Sequence, residues 1–214
     1  MSEVFVYVEG PSDQLGMREL LADMMAEAEN RGSSLDFYPL GGKDALLQKG
    51  PGKALNILRN RPNSWVFLVP DLYPGNKSFD HESYEELKSE LCRRFKTLRD
   101  TKKCNCRFDD RFFVHCFKYD LESLLLASED VLLSRLGKRR FSLSWKRPVE
   151  DQNHTNPPKR IVESLFEDAG LRYKGTSDVP WILSRSNLQD LMAGCSQNFK
   201  PFIEDLRRVL GVDV

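Results

Sequence analysis

Hydrophobic and polar residues alternate along the first half of the chain in blocks that predict strands and helices in turn. Unbroken apolar runs predict strands that are buried on both faces, whereas apolar residues at intervals of three and four predict amphipathic helices. The predicted elements are, in chain order, strand 4–8, helix 14–30, strand 35–40, helix 43–59 with a break at 50–52, strand 65–70, helix 81–99 and strand 112–117. This order predicts an α/β fold in which helices flank the faces of a parallel sheet.

No strand pattern follows Leu124, and the remainder of the chain is predicted to be helical. A basic turn at 137–147 and a polar loop at 148–158 interrupt it. The predicted helices cover 124–136, 158–169, 187–193 and 197–210. We therefore divide the chain into an α/β domain at residues 1–126 and a helical extension at 127–214, and we expect the extension to pack against the sheet.

The overall charge excludes a protein that binds nucleic acid through general basicity. The 32 Lys and Arg residues balance the 32 Asp and Glu residues, so the net charge is +0 at pH 7 and any such contact must come from a local patch. The N-terminus has no cationic lead, which argues against a signal peptide. No apolar run approaches the roughly 20 residues that span a bilayer, so we expect no membrane association.

The cysteines and histidines favour a reduced, cytoplasmic protein without a zinc site. The 5 cysteines are odd in number and irregularly spaced. Cys104-Asn105-Cys106 is too tight for a zinc knuckle and has no second pair to complete a tetrahedral site. The histidines at positions 81, 115 and 154 share no helix-face spacing. Any metal site must therefore use other ligands.

Acidic residues follow three of the four predicted strands. Glu9 ends the first strand, Asp71 ends the third, and Asp120 and Glu122 follow the fourth. Because the carboxyl ends of parallel strands lie along one edge of a sheet, these residues are expected to converge there. Two alternatives to a shared site stay open. Glu9 is an exposed loop residue in the first, and in the second Asp120 caps a helix whose first turn contains Glu122.

Convergent carboxylates predict a bound cation. Carboxylates packed together repel one another and raise one another's pKa unless a positive charge neutralises them. Mg²⁺ is the economical solution because it prefers oxygen ligands, and Mn²⁺ accepts similar ligands. Such an ion activates water and stabilises charge on a reacting phosphate.

Several cationic residues are candidates for phosphate binding. Lys159 and Arg160 open a predicted helix, where backbone N–H groups and side-chain charge together suit an anion. Lys118 and Lys174 are weaker candidates of the same kind. The densest basic patch contains Lys138, Arg139 and Arg140 and is interleaved with Phe141 and Trp145, a composition suited to a nucleic-acid backbone and stacked bases. The alternative for every one of these residues is a solvated surface or an ion pair.

Glu9-Gly10-x-x-Asp13 after the first strand, with Asp71 after the third, resembles the TOPRIM fold of primases, topoisomerases and overcoming-lysogenization-defect nucleases. More closely, the whole chain resembles a small bacterial TOPRIM-like family of unknown function that is often encoded beside an ATPase in phage-defence settings. The matching stretches, which follow in order over nearly the full length, are 6–10, 71–75, 120–125, 157–161, 173–174 and 195–199.

The resemblance implies a Mg²⁺- or Mn²⁺-dependent nuclease, or a nuclease-like toxin, that acts in defence with an ATPase partner. Glu9, Asp71 and one of Asp120 and Glu122 would surround the metal, with Glu9 as a ligand or general acid/base, and Lys159 would hold a phosphate. One position departs from the wider TOPRIM pattern, because Tyr73 stands where a second aspartate is expected. This departure supports the alternative of a catalytically degenerate subunit that binds and regulates the ATPase, and a homodimer is a further alternative.

Overall fold

The computed structural model describes residues 2–73, 78–103, 108, 110–152 and 155–212. Its strands are β1 (Glu3–Val8), β2 (Ser34–Pro39), β3 (Ser64–Val69) and β4 (Phe112–Val114). Its helices are α1 (Pro11–Leu20), α2 (Ala22–Asn30), α3 (Lys43–Asn60), α4 (Tyr84–Thr101), α5 (Glu122–Ala127), α6 (Glu129–Leu136), α7 (Pro158–Asp168), α8 (Gly175–Leu183), α9 (Leu188–Gly194) and α10 (Phe199–Leu210). A short 3₁₀ helix covers Val149–Asp151.

The four strands form one parallel sheet in the order β2-β1-β3-β4, which confirms the predicted α/β class. The register places Val8, the last residue of β1, beside Pro39 of β2 and Val69 of β3. The carboxyl ends of three strands therefore lie at one level. β4 is shorter than predicted, but a single bridge between Asp71 and Phe117 continues its pairing with the β3 segment. The residues that follow β1, β3 and β4 consequently meet at one edge.

Side chains that alternate along the strands divide the hydrophobic core between the two faces of the sheet. Val4, Val6 and Phe67 point into the larger cluster, which includes α1, α2 and most of the C-terminal helices. Val66 and Leu68 point to the opposite face, which α3 and α4 cover. The larger cluster joins residues from both sides of position 126. The helical extension thus packs against the sheet, as predicted, while the division at that position stays a prediction.

The break predicted at 50–52 in the second predicted helix is wrong. Helix α3 runs without interruption through Gly50, Pro51 and Gly52. Gly50 explains the close packing at this point, because a Cβ atom there would lie 3.0 Å from Leu68 Cδ1 of β3. Pro51 removes one backbone donor, and the burial of neighbouring residues such as Leu47 outweighs that local loss.

The first predicted helix is two helices, and one helix of the extension was not predicted. Helix α1 begins at Pro11, and α2 follows it after Leu21. Helix α8 lies where Gly175 and Pro180 favour a loop in the sequence. It forms because it packs along α1, where a Cβ atom on Gly16 would lie 2.5 Å from Val179 Cγ1.

A buried carboxylate attaches the last helix to the loop before α7. Glu150 is 3% exposed and accepts hydrogen bonds from the backbone N–H groups of Gln197, Asn198 and Phe199, at 2.6, 2.9 and 3.3 Å. These donors belong to the start of α10 and have no partner within the helix, so the carboxylate acts as its cap from a distant segment. Across the described ranges, no helix has the length and apolar character to cross a membrane.

Candidate functional site

Glu9 lies directly after β1, where Gly10 and Pro11 end the strand and begin α1. Its Oε1 atom accepts a hydrogen bond of 2.9 Å from the backbone N–H of Asp71. The N–H of Gly10 donates to Asp13 Oδ2 at 2.7 Å, which fixes the turn between strand and helix. Glu9 is therefore held in place by the neighbouring strand and is not the exposed loop residue of the alternative interpretation.

Asp120 and Glu122 lie on the connection between β4 and α5. Asp120 Oδ2 accepts a hydrogen bond of 3.2 Å from the backbone N–H of Lys159, in the first turn of α7. Its other oxygen, Oδ1, is buried and has no hydrogen-bond partner. Glu122 is the first residue of α5, and its Oε1 accepts a hydrogen bond of 2.9 Å from the Tyr173 hydroxyl. Asp120 thus caps α7, a helix distant in sequence.

Five carboxyl groups meet at this edge of the sheet, and we call Glu9, Asp13, Asp71, Asp120 and Glu122 the acidic edge. The pKa of Asp71 is raised well above its ordinary value, first by burial and then by the charges of the other four. Burial is also the main reason why the pKa rises to about 7 for Glu9, about 6 for Asp13 and about 8 for Asp120. The predicted convergence of carboxylates is therefore present.

Two lysines border the acidic edge. Lys43, at the start of α3, donates from Nζ to the Leu72 carbonyl at 2.8 Å, and its charge lowers the pKa of Glu9. Burial lowers the pKa of Lys43 itself, although Glu9 and Asp71 oppose that shift. Lys159 lies on the other side, where its charge lowers the pKa values of Asp13, Asp120 and Glu122. The two cations offset part of the repulsion among the carboxylates.

A cleft with a volume of about 490 Å³ opens beside Asp120. Its lining residues are Tyr73, Tyr119, Asp120, Pro157, Lys159, Arg160 and Glu163. It therefore combines aromatic rings, cations and one carboxylate of the acidic edge, within the volume range of ordinary ligand sites.

The acidic edge fits a hard divalent cation in its chemistry. Its donors are oxygens, its carboxylates repel one another, and Asp120 Oδ1 lacks a partner. Among the described side chains, no three from His, Cys, Asp and Glu are arranged to hold a metal ion together. Mg²⁺ does not require three, because it commonly binds one or two carboxylates and keeps several waters.

The other predicted cations are not all beside the acidic edge. Lys138, Arg139 and Arg140 line a separate cavity at the far end of α7, about 14 Å along that helix from Lys159. The nearby rings of Phe141 and Trp145 pack on each other and against the hydrophobic core. This patch therefore lines a different cavity from the cleft beside Asp120.

Lys118 and Lys174 have structural contacts of their own. Lys118 Nζ donates to Asp151 at 3.0 Å and to Gln197 at 3.1 Å, which ties it to the start of α10. Lys174 is exposed beside Tyr173, and its backbone N–H donates to Asp178 at 2.6 Å. Pro74 and Gly75, the Cys104-Asn105-Cys106 segment and His154 lie outside the described residues.

The site also contains residues that were not predicted to belong to it. Asp13 belongs to the motif that carries the resemblance, and its place four residues after Glu9 was the signal that it also faces the acidic edge. Tyr173 lies in one of the stretches that carry the resemblance, but its hydrogen bond to Glu122 depends on α7 and α8. Nothing in the local sequence distinguishes Lys43 from other lysines.

A family model described as a domain of unknown function, DUF4276, matches residues 8–207, and the chain belongs to this family. The C-terminal region of the Burkholderia pseudomallei OLD protein is similar in structure, with a TM-score of 0.52 and 14% sequence identity over 97% of this chain and 98% of that chain. The corresponding region from Xanthomonas campestris pv. campestris has a TM-score of 0.48 and 14% identity over 99% of this chain and 97% of that chain. No curated protein matches. The similarity to the C-terminal region of the Burkholderia pseudomallei OLD protein shows that the fold is TOPRIM-like.

Proposed function

We propose that this DUF4276 protein is a nuclease that hydrolyses phosphodiester bonds of nucleic acid at its acidic edge with the help of a divalent cation. The main support is the convergence of five carboxyl groups from three distant segments of the chain. Fold stability does not require such a cluster, because placing like charges together in a buried site costs free energy. A divalent cation that assists phosphate chemistry would offset this cost, since it binds carboxylate oxygens and neutralises their charge.

Asp71 and one of Asp120 and Glu122 are the proposed metal ligands. Bound Mg²⁺ or Mn²⁺ would supply Lewis-acid activation and would neutralise charge on the phosphate. Asp71 lies among the other carboxyl groups of the acidic edge, and Asp120 Oδ1 has no hydrogen bond to lose when it becomes a ligand. Tyr173 fixes one oxygen of Glu122 and thereby orients its carboxylate.

Glu9 is the proposed general acid/base. In the metal-free protein, burial raises its pKa to about 7, near neutral pH, which is the condition for efficient proton transfer. The hydrogen bond from the Asp71 N–H holds one carboxylate oxygen, so the other oxygen can carry the proton. Glu9 is thus held in a fixed position and can still gain or lose a proton.

Lys159 and Arg160 are the proposed phosphate contacts. The backbone N–H of Lys159 is already bonded to Asp120, so the phosphate would be bound by the two side chains and not by the helix terminus itself. Both residues are exposed and line the cleft next to Asp120. A phosphate there would lie between these cations and the acidic edge.

The second candidate is a catalytically degenerate TOPRIM-like subunit that binds and regulates an ATPase. Tyr73 in place of an acid favours it, as does the lack of a three-ligand arrangement among the described His, Cys, Asp and Glu side chains. In both candidates we propose, from the sequence resemblance, a cytoplasmic role in phage defence with an ATPase partner.

The test is cleavage of single-stranded DNA, double-stranded DNA and bulk tRNA with Mg²⁺ or Mn²⁺, with and without any ATPase encoded beside the gene. Glu9→Gln and Asp71→Asn should each reduce the rate at least 100-fold, a typical loss when an acid/base or a metal ligand is removed. The matched controls are Glu3→Gln at the other end of β1 and Asp36→Asn on β2, and both should cleave like the wild type.

The cleavage results separate the two candidates. Metal-dependent cleavage that both site substitutions abolish would support the nuclease. Cleavage that survives Asp71→Asn would assign the activity to a contaminant or to another site. A folded protein that binds the ATPase but cleaves none of these substrates would favour the degenerate subunit.

A further inference from the structure

The cleft beside Asp120 contains a pair of tyrosines that the nuclease mechanism does not use. The ring centroids of Tyr73 and Tyr119 lie 5.0 Å apart with an angle of 35° between the ring planes. The Tyr73 hydroxyl donates to the Glu82 carbonyl at 2.6 Å, which holds the far end of that ring. Tyr119 is 7% exposed, and Tyr73 is half-buried. The pair is therefore a fixed aromatic surface at the cleft, with Tyr73 as its more exposed member.

Cations and carboxylates occupy the same cleft and determine where a charged ligand can lie. Lys159 and Arg160 line it as exposed side chains, and Arg160 Nη1 is positioned by a hydrogen bond of 3.2 Å to the Thr155 carbonyl. Asp120 and Glu163 also line it and repel an anion. A ligand that suits both features carries its negative charge at the cation side and a flat, uncharged ring at the tyrosine side.

A nucleotide has this distribution of charge and shape. We propose that the cleft binds one unpaired nucleotide of a single-stranded nucleic acid, with its base stacked on Tyr73 and its phosphate between Lys159 and Arg160. A base within a duplex has both faces covered by its neighbours, so it cannot stack on the ring without leaving the helix. The cleft therefore selects single strands over duplexes.

This inference deepens the proposed function, because it names the form of nucleic acid that reaches the acidic edge. Asp120 belongs to both the cleft and the acidic edge, so a nucleotide in the cleft places an adjacent phosphodiester beside the carboxylates. Tyr73 follows Asp71 by two residues, at the position where the wider TOPRIM pattern has an acid. At this position the chain has a stacking surface in place of a carboxylate.

The experiment measures binding without cleavage. Fluorescence anisotropy in EDTA follows the whole chain with short single-stranded DNA, single-stranded RNA and blunt duplex DNA of matched length. Tyr73→Ala should weaken single-strand binding about tenfold, whereas Tyr73→Phe should keep the wild-type affinity because the ring does the stacking. Duplex binding should be weaker and unchanged by either substitution. Tyr38→Ala, on edge strand β2 and outside the cleft, is the aromatic control.

A second readout distinguishes stacking from a structural role of the ring. 2-Aminopurine placed in the single strand should lose fluorescence when it stacks on the wild-type protein and on Tyr73→Phe, but not on Tyr73→Ala. The double variant Lys159→Gln/Arg160→Gln should reduce the slope of log affinity against log salt by about two, since each lost phosphate contact removes about one. The two substituted side chains lie on the surface, so their replacement should leave the packing of the tyrosine pair unchanged.

Three results would overturn the proposal: wild-type affinity in Tyr73→Ala, equal binding of single strands and duplexes, or no binding of either by the wild-type chain. A protein that binds single strands as described but never cleaves them would contradict the proposed nuclease activity and would still support nucleotide binding in the cleft. The DNA and RNA arms identify which single strand is preferred.

Discussion

The Glu9 carboxylate accepts a hydrogen bond of 2.9 Å from the backbone N–H of Asp71, a residue 62 positions later in the chain. The bond joins the ends of the adjacent strands β1 and β3. This bond fixes the spacing between the proposed general acid/base and the central proposed metal ligand. It also places the Glu9 carboxylate close enough for its charge to raise the pKa of Asp71. The geometry that would serve the proposed reaction is therefore unfavourable for the metal-free fold, and this has consequences that can be measured.

Asp71→Asn is expected to stabilise the metal-free protein. The substitution removes a carboxyl group whose ionisation is unfavourable in this buried cluster, and it keeps the backbone N–H that Glu9 needs. In EDTA the free energy of unfolding should rise by about 1 kcal/mol, which corresponds to about 2–4 °C in Tm for a chain of this size. Thermal unfolding of the two proteins measures the difference.

The same comparison in Mg²⁺ tests whether the acidic edge binds a cation. Mg²⁺ should raise the Tm of the wild type, because a ligand that binds the folded state stabilises it, and it should raise that of Asp71→Asn much less. Asp36→Asn on β2 should respond to Mg²⁺ like the wild type. A lower Tm for Asp71→Asn in EDTA would contradict the repulsion argument.

Gly16→Ala is expected to destabilise the packing between α1 and α8. The new Cβ atom would lie 2.5 Å from Val179 Cγ1 and 3.0 Å from Leu183 Cδ1, so the helices must move apart. Overpacking of this kind costs about 1–3 kcal/mol of unfolding free energy. Urea denaturation measures the loss. Gly52→Ala is the matched control in α3, where a Cβ atom would meet nothing within 4 Å and alanine favours the helix.

Glu150→Gln is expected to loosen the start of α10. The neutral amide keeps an acceptor oxygen but loses the charge and the second oxygen that together bind three backbone N–H groups. The loss should be about 1–3 kcal/mol, the range for a buried polar group that loses its partner. Hydrogen exchange of residues 197–199 should accelerate more than that of α3. Equal protection of residues 197–199 in both proteins would contradict the capping role of Glu150. Glu204→Gln, on the exposed face of α10, is the control.

Asp205 is expected to stabilise the protein above about pH 4 and to lose that effect as the pH falls toward 2. Its hydrogen bond from His115, followed by that from Arg208, lowers the pKa of Asp205 to about 2 in the folded state. A carboxylate whose pKa is lower in the folded state stabilises it only while it is ionised, so the contribution disappears below that pKa. The partial exposure of Asp205 limits the contribution to about 1 kcal/mol or less.

The measurement for Asp205 is the difference in unfolding free energy between the wild type and Asp205→Asn. The difference should be present at pH 6 and should shrink steadily between about pH 4 and pH 2. Glu204→Asn, at an exposed neighbouring position on α10, should show no such trend. A difference that stays constant over this range would contradict the role of the ionised carboxylate.

The sequence by itself was sufficient to predict the strands and the acids that follow them. Strand runs such as 4–8 and 65–70 are local patterns, and parallel strands necessarily bring their carboxyl ends to one edge. The convergence of Glu9, Asp71 and Asp120 could therefore be predicted without coordinates. Local patterns failed where long-range packing outweighs propensity, as in the uninterrupted α3 and the unpredicted α8.

Only the tertiary structure decided which other residues surround those acids. Tyr173 reaches Glu122 because α7 and α8 fold back onto the sheet, and Asp120 caps α7 for the same reason. The same packing places Lys159 beside the acidic edge and the Lys138–Arg140 patch at the opposite end of α7. Contacts between segments so distant in sequence depend on the relative positions of whole helices, and the spacing of residues along one segment does not contain that information.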